Sequence, residues 1–502
     1  MSVAPLILPA TLPDAHTLIT EQFQKIQQLA WRVGQLEKEL FGPSSERQAD
    51  ARLSKEQILL SLFPPPAEPA ATQLVLVRVD DPKAQPRLRR QPAIKVLETV
   101  SERIEPEEKV CPHCGRTKCE IGCEKSERYE YIPAKIIRHE TLRPKLACSC
   151  GAGGVSIAPL PPGVIDQGQP GPGLVAHVIL SKYDDHLPLY RQQQQLARLG
   201  VNFPRQTLCD WVEQGAAWLQ GIVREMKREL LAGDYLQVDE TPVRVMDPEV
   251  RGRCALGYLW VAGCPGGEVI FEFHPGRGKE YAAHLTCDFQ GYLQRDGYGV
   301  YGALARERPG LIPVGCWSHG RRKFVDALEE RPNEAAEIVT EIRKLYLIER
   351  HARDQCLRAA QRWKLREEKS APILAALKPR LEGLLTGCLP QSPLGKAIRY
   401  TLAEWEPLTR YLEDGRLELD NNLTENAIRP SAVGKKNWLF IGHPQAGWRS
   451  AVIYSVIVSC RRRGIDPWEY VRDVFQRVPS MKQSELPTLL PRCWKPLDPT
   501  AR

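Results

Sequence analysis

The chain has 502 residues, and Lys and Arg outnumber Asp and Glu by 69 to 61, which gives a net charge of +8 at pH 7. At roughly 100 to 200 residues per domain, this length excludes a single core and predicts three or four units. The modest basic excess fits a polyanionic partner without requiring one.

Cysteine content and apolar patterning indicate the compartment. Fifteen cysteines would point to disulfides in a small secreted chain, but no signal-peptide pattern opens this long sequence. No window offers the roughly 18 uninterrupted apolar residues that a membrane span needs. We therefore expect a protein of the reducing cytoplasm with no membrane partner.

The first predicted element is a coiled-coil helix over residues 15–45. Apolar residues recur there every seven positions, with two leucines at the complementary position: Ile19, Ile26, Val33, Leu40, Leu29 and Leu36. This spacing is typical of a leucine-zipper-like seam, and equally of an amphipathic helix packed on its own domain. Residues 46–105, rich in proline and charge, are predicted to form a flexible linker.

Residues 106–155 are predicted to form a zinc-binding segment. Two close cysteine pairs are separated by a probable hairpin: Cys111 with Cys114, and Cys148 with Cys150. Four thiolates suit tetrahedral Zn2+, and a reducing compartment favours metal over disulfide. Two alternatives stay open, since Cys119 and Cys123 are also candidates for the second pair and all of the thiols can be reduced and metal-free.

A helix-turn-helix is predicted within residues 170–230. One helix spans Leu187 to Leu199, a turn follows at 200–203, and a second helix opens near Pro204. A DNA-reading unit of this kind presents the start of its second helix to the major groove, here Arg205, Gln206 and Thr207. A helical hairpin in a scaffold fits the periodicity as well.

Strands dominate the start of the region 231–445. Runs at 235–245, 256–262 and 269–274 predict an antiparallel meander, and a helix over 279–288 leads to a short strand at 291–295. Asp239 lies on the first strand and Asp296 directly follows the last. If these strands are neighbours in one sheet, the two carboxylates can converge on hard divalent cations.

The best third ligand is Glu425, in the first turn of a predicted helix. Asn422 as N-cap with Glu425 three residues later also reads as a capping box, which would explain both residues without a metal. Each acidic residue taken singly is more typical of a turn or a cap than of a metal site.

Several longer motifs occur together in order along the chain. They are Phe41-Gly-Pro-Ser-Ser45-Glu46, Cys111-Pro-His-Cys114-Gly, Ser181-Lys-Tyr183 with His186-Leu-Pro-Leu-Tyr190-Arg, Val238-Asp239-Glu-Thr-Pro242, Gln294-Arg-Asp296-Gly-Tyr298, Gly315-Cys-Trp317-Ser-His319, Asp420-Asn-Asn422 through Glu425, and Gly434-Lys-Lys-Asn-Trp438-Leu-Phe440. In this combination the chain resembles, nearly end to end, the transposases of the insertion-sequence sixty-six family.

The resemblance implies a multidomain α+β protein with a ribonuclease-H-like catalytic domain of the DDE type. A helical insertion would occupy about 324–405 and a helical tail 446–502. Asp239, Asp296 and Glu425 would hold two Mg2+ or Mn2+ ions. One departure is Asn426, where similar sequences often carry arginine, although Arg429 lies nearby.

The implied activity is metal-dependent cleavage at the ends of the insertion sequence, followed by transfer of the 3′ hydroxyl into target DNA. Double-stranded DNA would then be the partner of a homo-oligomer in the bacterial nucleoid, assisted by small accessory proteins of the same element. Two rival hypotheses are a catalytically silent zinc-containing DNA-binding regulator and a nuclease that hydrolyses without joining.

Basic residues near the predicted site are candidates for phosphate contacts, because neutralising the DNA backbone supplies much of the affinity for duplex DNA. They are Arg321, Arg322, Lys323, Arg429, Lys435 and Lys436. Such clusters are also common as solvated surface. His319, expected just after a strand ending in Trp317, is either close to the metals or structural.

Overall fold

The computed structural model describes residues 135–147, 155–159, 162–165, 170–250 and 252–497, with His113 and Gly168 as single positions. The predicted coiled coil, the linker and every candidate zinc cysteine lie outside the described residues. The chain divides into two units, Pro64–His139 and the remainder. Of the first unit, only His113 and 135–139 are described, none of them in a helix or strand.

The remainder is a mixed α/β fold built on one five-stranded sheet. Its strands are β3 Tyr235–Val245, β4 Ala255–Gly263, β5 Val269–His274, β6 Gly291–Gln294 and β7 Leu311–Val314, preceded by a separate antiparallel pair, β1 Lys145–Ala147 and β2 Val155–Ile157. The sheet order is β5-β4-β3-β6-β7. β4 runs antiparallel to its two neighbours, β3 and β5, whereas β6 and β7 run parallel to β3.

Helices precede, interrupt and follow the sheet. Before it are α1 Pro172–Tyr183, α2 Leu189–Arg198 and α3 Arg205–Leu231; between strands are α4 Lys279–Thr286 and α5 Gly299–Glu307; after it are α6 Trp317–Asp326, α7 Pro332–Asp354, α8 Ala359–Thr386, α9 Pro393–Ala403, α10 Trp405–Thr409, α11 Asn422–Trp438, α12 Gly447–Arg462 and α13 Pro467–Arg477. In the part of the chain that the structure describes, no helix is both long and apolar enough to cross a membrane.

The turn between α2 and α3 follows from local chemistry. Gly200 adopts φ 89°, in the left-handed region that glycine enters without steric cost. Pro204 then precedes the first residue of α3, a helix whose buried face includes Leu208 and Trp211. Two helices with a tight turn therefore lie where the sequence predicts them, and their use in reading DNA stays a prediction.

The helices from α6 to α10 share a core with the sheet. Trp317, Phe324, Ile342 and Leu377 are almost fully buried in one cluster with Val314 of β7. Residues 332–409, within and just past the segment predicted as an insertion, thus pack directly on the end of the sheet.

The segment predicted as a helical tail over 446–502 contains the helices α12 and α13, and α12 packs on the sheet. Helix α12 covers β5, which is an edge strand. The amide N–H groups of Val269 and Phe271 donate to the hydroxyls of Ser459 and Ser455, at 3.0 and 2.8 Å. Edge-strand N–H groups that would otherwise recruit another strand are thereby satisfied.

Candidate active site

The two parallel strands β3 and β6 carry the same sequence pattern. Tyr235-Leu-Gln-Val-Asp239 and Tyr292-Leu-Gln-Arg-Asp296 are aligned in register, with Tyr opposite Tyr, Leu opposite Leu and Gln opposite Gln. Each aspartate comes two residues after its glutamine, so the two lie at the same level along the paired strands. This internal repeat is visible in the sequence and was missed as a signal that the two strands pair.

Asp239 is half-buried, and its Oδ1 accepts a hydrogen bond from the Glu240 amide at 2.9 Å. Burial first, and then the charges of Glu240, Glu425 and Asp296, raise the pKa of Asp239 to about 8. The charges of Glu425 and Asp296 thus act on Asp239, which indicates that the three sequence-predicted carboxylates lie near one another.

Glu425 lies in the first turn of α11, but the predicted capping box is absent. The N-cap is Asn421, not Asn422, and no side chain caps the helix. Asn421 is fully buried and its Nδ2 donates to the carbonyl of Val238 at 2.8 Å, while Asn422 Nδ2 donates to Asp420. Asn421 therefore fastens the helix start to β3, and Glu425 has no capping role.

A buried network joins the strands to this helix. Gln237 Nε2 donates to Gln294 Oε1 at 2.7 Å, and the Tyr235 hydroxyl donates to the same oxygen at 2.5 Å. Thr424 Oγ1 donates to Gln237 Oε1 at 3.2 Å, and Gln294 Nε2 donates to the carbonyl of Glu418 at 2.7 Å. Since both glutamines are fully buried, the network holds Glu425 at a defined position relative to the two aspartates.

Glu425 has polar neighbours that do not satisfy it. Its Oε1 is buried without a hydrogen-bond partner and lies 3.7 Å from His319 Nδ1, and its Oε2 lies 4.0 Å from Arg322 Nη2. The sequence expectation of a strand ending in Trp317 is wrong, because β7 ends at Val314 and Trp317 begins α6. His319 consequently stands in the first turn of a helix, beside the carboxylates.

Cys316 is a neighbour that the sequence reasoning did not single out. Its Sγ lies within 4.8 Å of donor atoms of both His319 and Glu425. It accepts a hydrogen bond from the Asn421 amide, and burial raises its pKa to about 12. Cys316 is thus buried beside His319 and Glu425 and is hydrogen-bonded to the residue that precedes α11.

The donor set fits a hard divalent cation. Carboxylate oxygens are the ligands that Mg2+ prefers, and the unpartnered Glu425 Oε1 and the raised pKa of Asp239 are both relieved by positive charge. Among the described residues, these three carboxylates do not form a group with all donor atoms within 4.8 Å of one another. Side-chain movement is therefore needed for one cation to contact all three.

Glu240, the acidic neighbour of Asp239 in the same motif, points to the opposite face of β3. Its carboxylate accepts from Arg277 Nε at 2.7 Å and from the Tyr301 hydroxyl at 2.7 Å. Its side chain is 1% exposed. Glu240 is thus a paired core residue rather than a member of the site.

Two of the predicted phosphate contacts lie close to the carboxylates or to their motif. Arg322 is the neighbour of Glu425 described above, and Lys435 Nζ donates to the carbonyl of Pro242 at 2.9 Å and to Thr241 Oγ1 at 3.2 Å. Burial, and then the charge of Lys436, lower the pKa of Lys435.

The remaining predicted contacts are mostly exposed. Arg429, Lys436 and Lys323 are exposed, with Lys323 Nζ 4.6 Å from the centre of the Tyr400 ring, and Arg321 is half-buried. At the start of α3, Arg205 and Gln206 are exposed and Thr207 is half-buried, and Gln206 donates to Asp210. Within the described stretches, no hydrogen bond or ion pair joins these α3 residues to the carboxylates.

Comparison with known proteins identifies the family of the chain. The family model described as "Transposase IS66 family" matches residues 167–449, which contain all three carboxylates. The "zinc-finger binding domain of transposase IS66" matches 108–151, which supports a structural Zn2+ there, and the "IS66 C-terminal element" matches 455–492.

Relatives come from Sinorhizobium fredii (strain NBRC 101917 / NGR234). "Uncharacterized protein y4jD" is 36% identical over 78% of this chain and 79% of its own length, and "Uncharacterized protein y4qI" is 34% identical over 83% and 79%. No solved structure matches the chain significantly. From the family models and the order of its motifs, the chain belongs to the IS66 family of transposases.

Proposed function

We propose that this transposase is of the DDE type, cutting DNA at the ends of its insertion sequence and joining the freed 3′ hydroxyl to target DNA. The observation that carries the proposal is the placement of Asp239 on β3, of Asp296 just after the adjacent parallel strand β6, and of Glu425 at the start of α11, which is hydrogen-bonded to β3. Carboxylates from two parallel strands and one helix start are the ligand set that metal-dependent phosphoryl transfer requires.

We also propose that the sheet is the core of a ribonuclease-H-like domain. The support is its topology, in which a three-stranded meander is followed by two strands parallel to the first. Two of the proposed ligands lie on β3 and just after β6, which are neighbours in the sheet. The helices between β7 and α11 are then an insertion between the second and third ligand.

Asp239, Asp296 and Glu425 would hold two Mg2+ or Mn2+ ions, which when bound activate the attacking oxygen and stabilise the leaving oxygen of the scissile phosphate. The protein's own residues orient this centre. The buried glutamines fix the distance between the strands and α11, and His319, beside Glu425, restricts how that carboxylate rotates.

DNA contacts are proposed at two surfaces. Arg322, Lys435, Lys436 and Arg429 lie on the helices that bear or face Glu425, and suit phosphates next to the cleaved bond. The start of α3, with Arg205, Gln206 and Thr207, suits base edges in the terminal repeat.

Some proposals rest on the family rather than on the described residues. They are Zn2+ binding by Cys111, Cys114, Cys148 and Cys150, homo-oligomerisation through the helix at 15–45, and accessory proteins in the bacterial nucleoid.

The test uses labelled duplex DNA that ends in the terminal repeat, with Mg2+ and a supercoiled target. We expect the full-length protein to nick the end and to join it to the target, and Asp239→Asn, Asp296→Asn and Glu425→Gln to abolish both reactions while retaining DNA binding. Glu249→Gln, an exposed carboxylate after β3, is the matched control and stays active. Cutting without joining would support a hydrolytic nuclease, and binding without cutting would support a regulator.

A further inference from the structure

A second cluster of metal-binding side chains lies on the opposite face of the sheet. Glu272 and His274 alternate on edge strand β5, and His284 comes from α4. Their donor atoms all lie within 4.8 Å of one another. Glu272 lies opposite Trp260, and Trp260 lies opposite Glu240, so these three side chains share one face of the sheet. Asp239 lies opposite Val261, and both are on the other face because side chains alternate along a strand. The two sites are therefore on different faces of the sheet.

The geometry is close to that of a metal centre. Glu272 Oε2 lies 3.1 Å from His274 Nε2 and 2.8 Å from His284 Nδ1. Tetrahedral Zn2+, with bonds of about 2.0 to 2.2 Å, separates its ligand atoms by roughly 3.4 Å, so these two separations would widen by about 0.3 and 0.6 Å on binding. The two imidazoles need only carry their protons on the other ring nitrogens.

Neighbouring groups prepare the cluster for this role. Lys227 Nζ donates to Glu272 Oε1 at 2.6 Å and to the carbonyl of His284 at 3.0 Å, which fixes the carboxylate and leaves Oε2 to the imidazoles. His274 stacks on Tyr281 with ring centres 4.8 Å apart. The His284 side chain is 63% exposed, so a fourth coordination position opens to solvent.

The local charge selects the class of cation. One carboxylate is offset by the Lys227 ammonium, so little net negative charge attracts hard cations such as Mg2+. Two imidazoles and one carboxylate are instead typical ligands of Zn2+.

We propose that Glu272, His274 and His284 bind a Zn2+ ion that ties helix α4 to edge strand β5, separately from both the zinc-finger domain and the catalytic carboxylates. The ion would stabilise this corner of the fold, and its exposed position would accept water or a ligand from outside.

The first measurement is zinc per chain, by mass spectrometry, after full-length protein has been incubated with Zn2+ and desalted. The wild type should hold one more zinc than His284→Ala or His274→Ala. His351→Ala, an exposed histidine on α7, is the matched control and should equal the wild type. Equal zinc content in the wild type and His284→Ala would overturn the proposal.

A second measurement separates this site from the zinc finger. Cys111→Ser combined with Cys114→Ser should still bind one zinc, and Zn2+ should raise its melting temperature. Adding His284→Ala to that variant should remove both effects. If the cysteine variant binds no zinc, the ion is held only by the zinc finger and the proposal fails.

Discussion

The ionised form of Asp239 is disfavoured in the folded protein without Mg2+. Burial and three neighbouring carboxylates raise its pKa from 3.8 to about 8. Between those values the folded state binds more protons than the unfolded state, so this residue makes the protein less stable as pH rises from about 4 to about 8. Asp239 therefore lowers the free energy of unfolding at high pH, in the position where the proposed site would attract cations.

Asp239→Asn should accordingly raise the melting temperature in Mg2+-free buffer, and by more at pH 8 than at pH 5. Addition of Mg2+ should stabilise the wild type and have little effect on the variant. Differential scanning fluorimetry measures both shifts, with Glu249→Gln as the control. A variant that melts below the wild type at pH 8 would show that Asp239 is not under charge repulsion.

Under the proposed function, His319 positions the carboxylate of Glu425, which lies 3.7 Å away. His319→Ala should lower the cleavage rate about 10- to 100-fold, as loss of a ligand's supporting partner does, and raise the Mg2+ concentration needed for half-maximal activity. His319→Gln should restore part of the activity. A rate loss with an unchanged Mg2+ requirement would assign His319 a purely structural role.

At the scale of elements, the glutamine network determines how β6 meets α11. Gln294→Ala would remove the oxygen that accepts from both the Tyr235 hydroxyl and Gln237 Nε2, and a buried donor left without its acceptor costs about 1–3 kcal/mol. We expect a lower free energy of unfolding in urea, and loss of DNA cleavage. Gln290→Ala, an exposed position just before β6, is the control and should change neither.

The segment before α11 is held by a buried ion pair in the helical region. Arg366 is fully buried, pairs with Glu349 at 2.7 Å, and donates to the carbonyls of Tyr411, Asp414 and Leu417. The role of this arginine is thus to anchor the chain that leads to Glu425.

Arg366→Met should destabilise the protein by about 3 kcal/mol, because buried Glu349 would keep only Arg362 as a charged partner and three backbone carbonyls would lose their donor. The control is Arg380→Met, which removes an exposed pair with Glu337 and should cost at most about 1 kcal/mol. Chemical denaturation measures the free energy of unfolding of both variants. A similar loss of stability in the two would show that burial of the ion pair does not determine its contribution.

The strands of the meander could be predicted from the sequence because alternation and β-branched residues mark them locally, and β3 and β5 have the predicted bounds. The start of α11 could not be predicted in this way. Asn421 is buried against β3, which is distant in the sequence, and its side chain does not cap its own helix. The sequence predicts a strand that ends in Trp317 with His319 just after it, because a short apolar run does not distinguish a strand from a buried helix.

At the scale of the whole molecule, the described C-terminal helices are part of the fold that supports the site. Gly447 lies so close to Phe273 that an added Cβ would be 2.1 Å from its ring, and α12 is buried through most of its length. Removal of α12 would expose the hydrogen-bonding edge of β5 and the apolar face of α3.

Truncation after Ala446 should therefore yield aggregated protein, as judged by size-exclusion chromatography and circular dichroism. Ser455→Ala together with Ser459→Ala is a milder test, which should lower the melting temperature but leave a monodisperse protein. A soluble, cooperatively melting truncated chain would show that the C-terminal helices are dispensable.

The order of the three carboxylates along the chain has a consequence during synthesis. Asp239 and Asp296 leave the ribosome early, but Glu425 follows the whole helical region, and α12, which covers β5, comes later still. Under the proposed function, a nascent chain has no complete metal site until translation is almost finished. Fragments from interrupted translation would be unable to cut the DNA of the cell that made them.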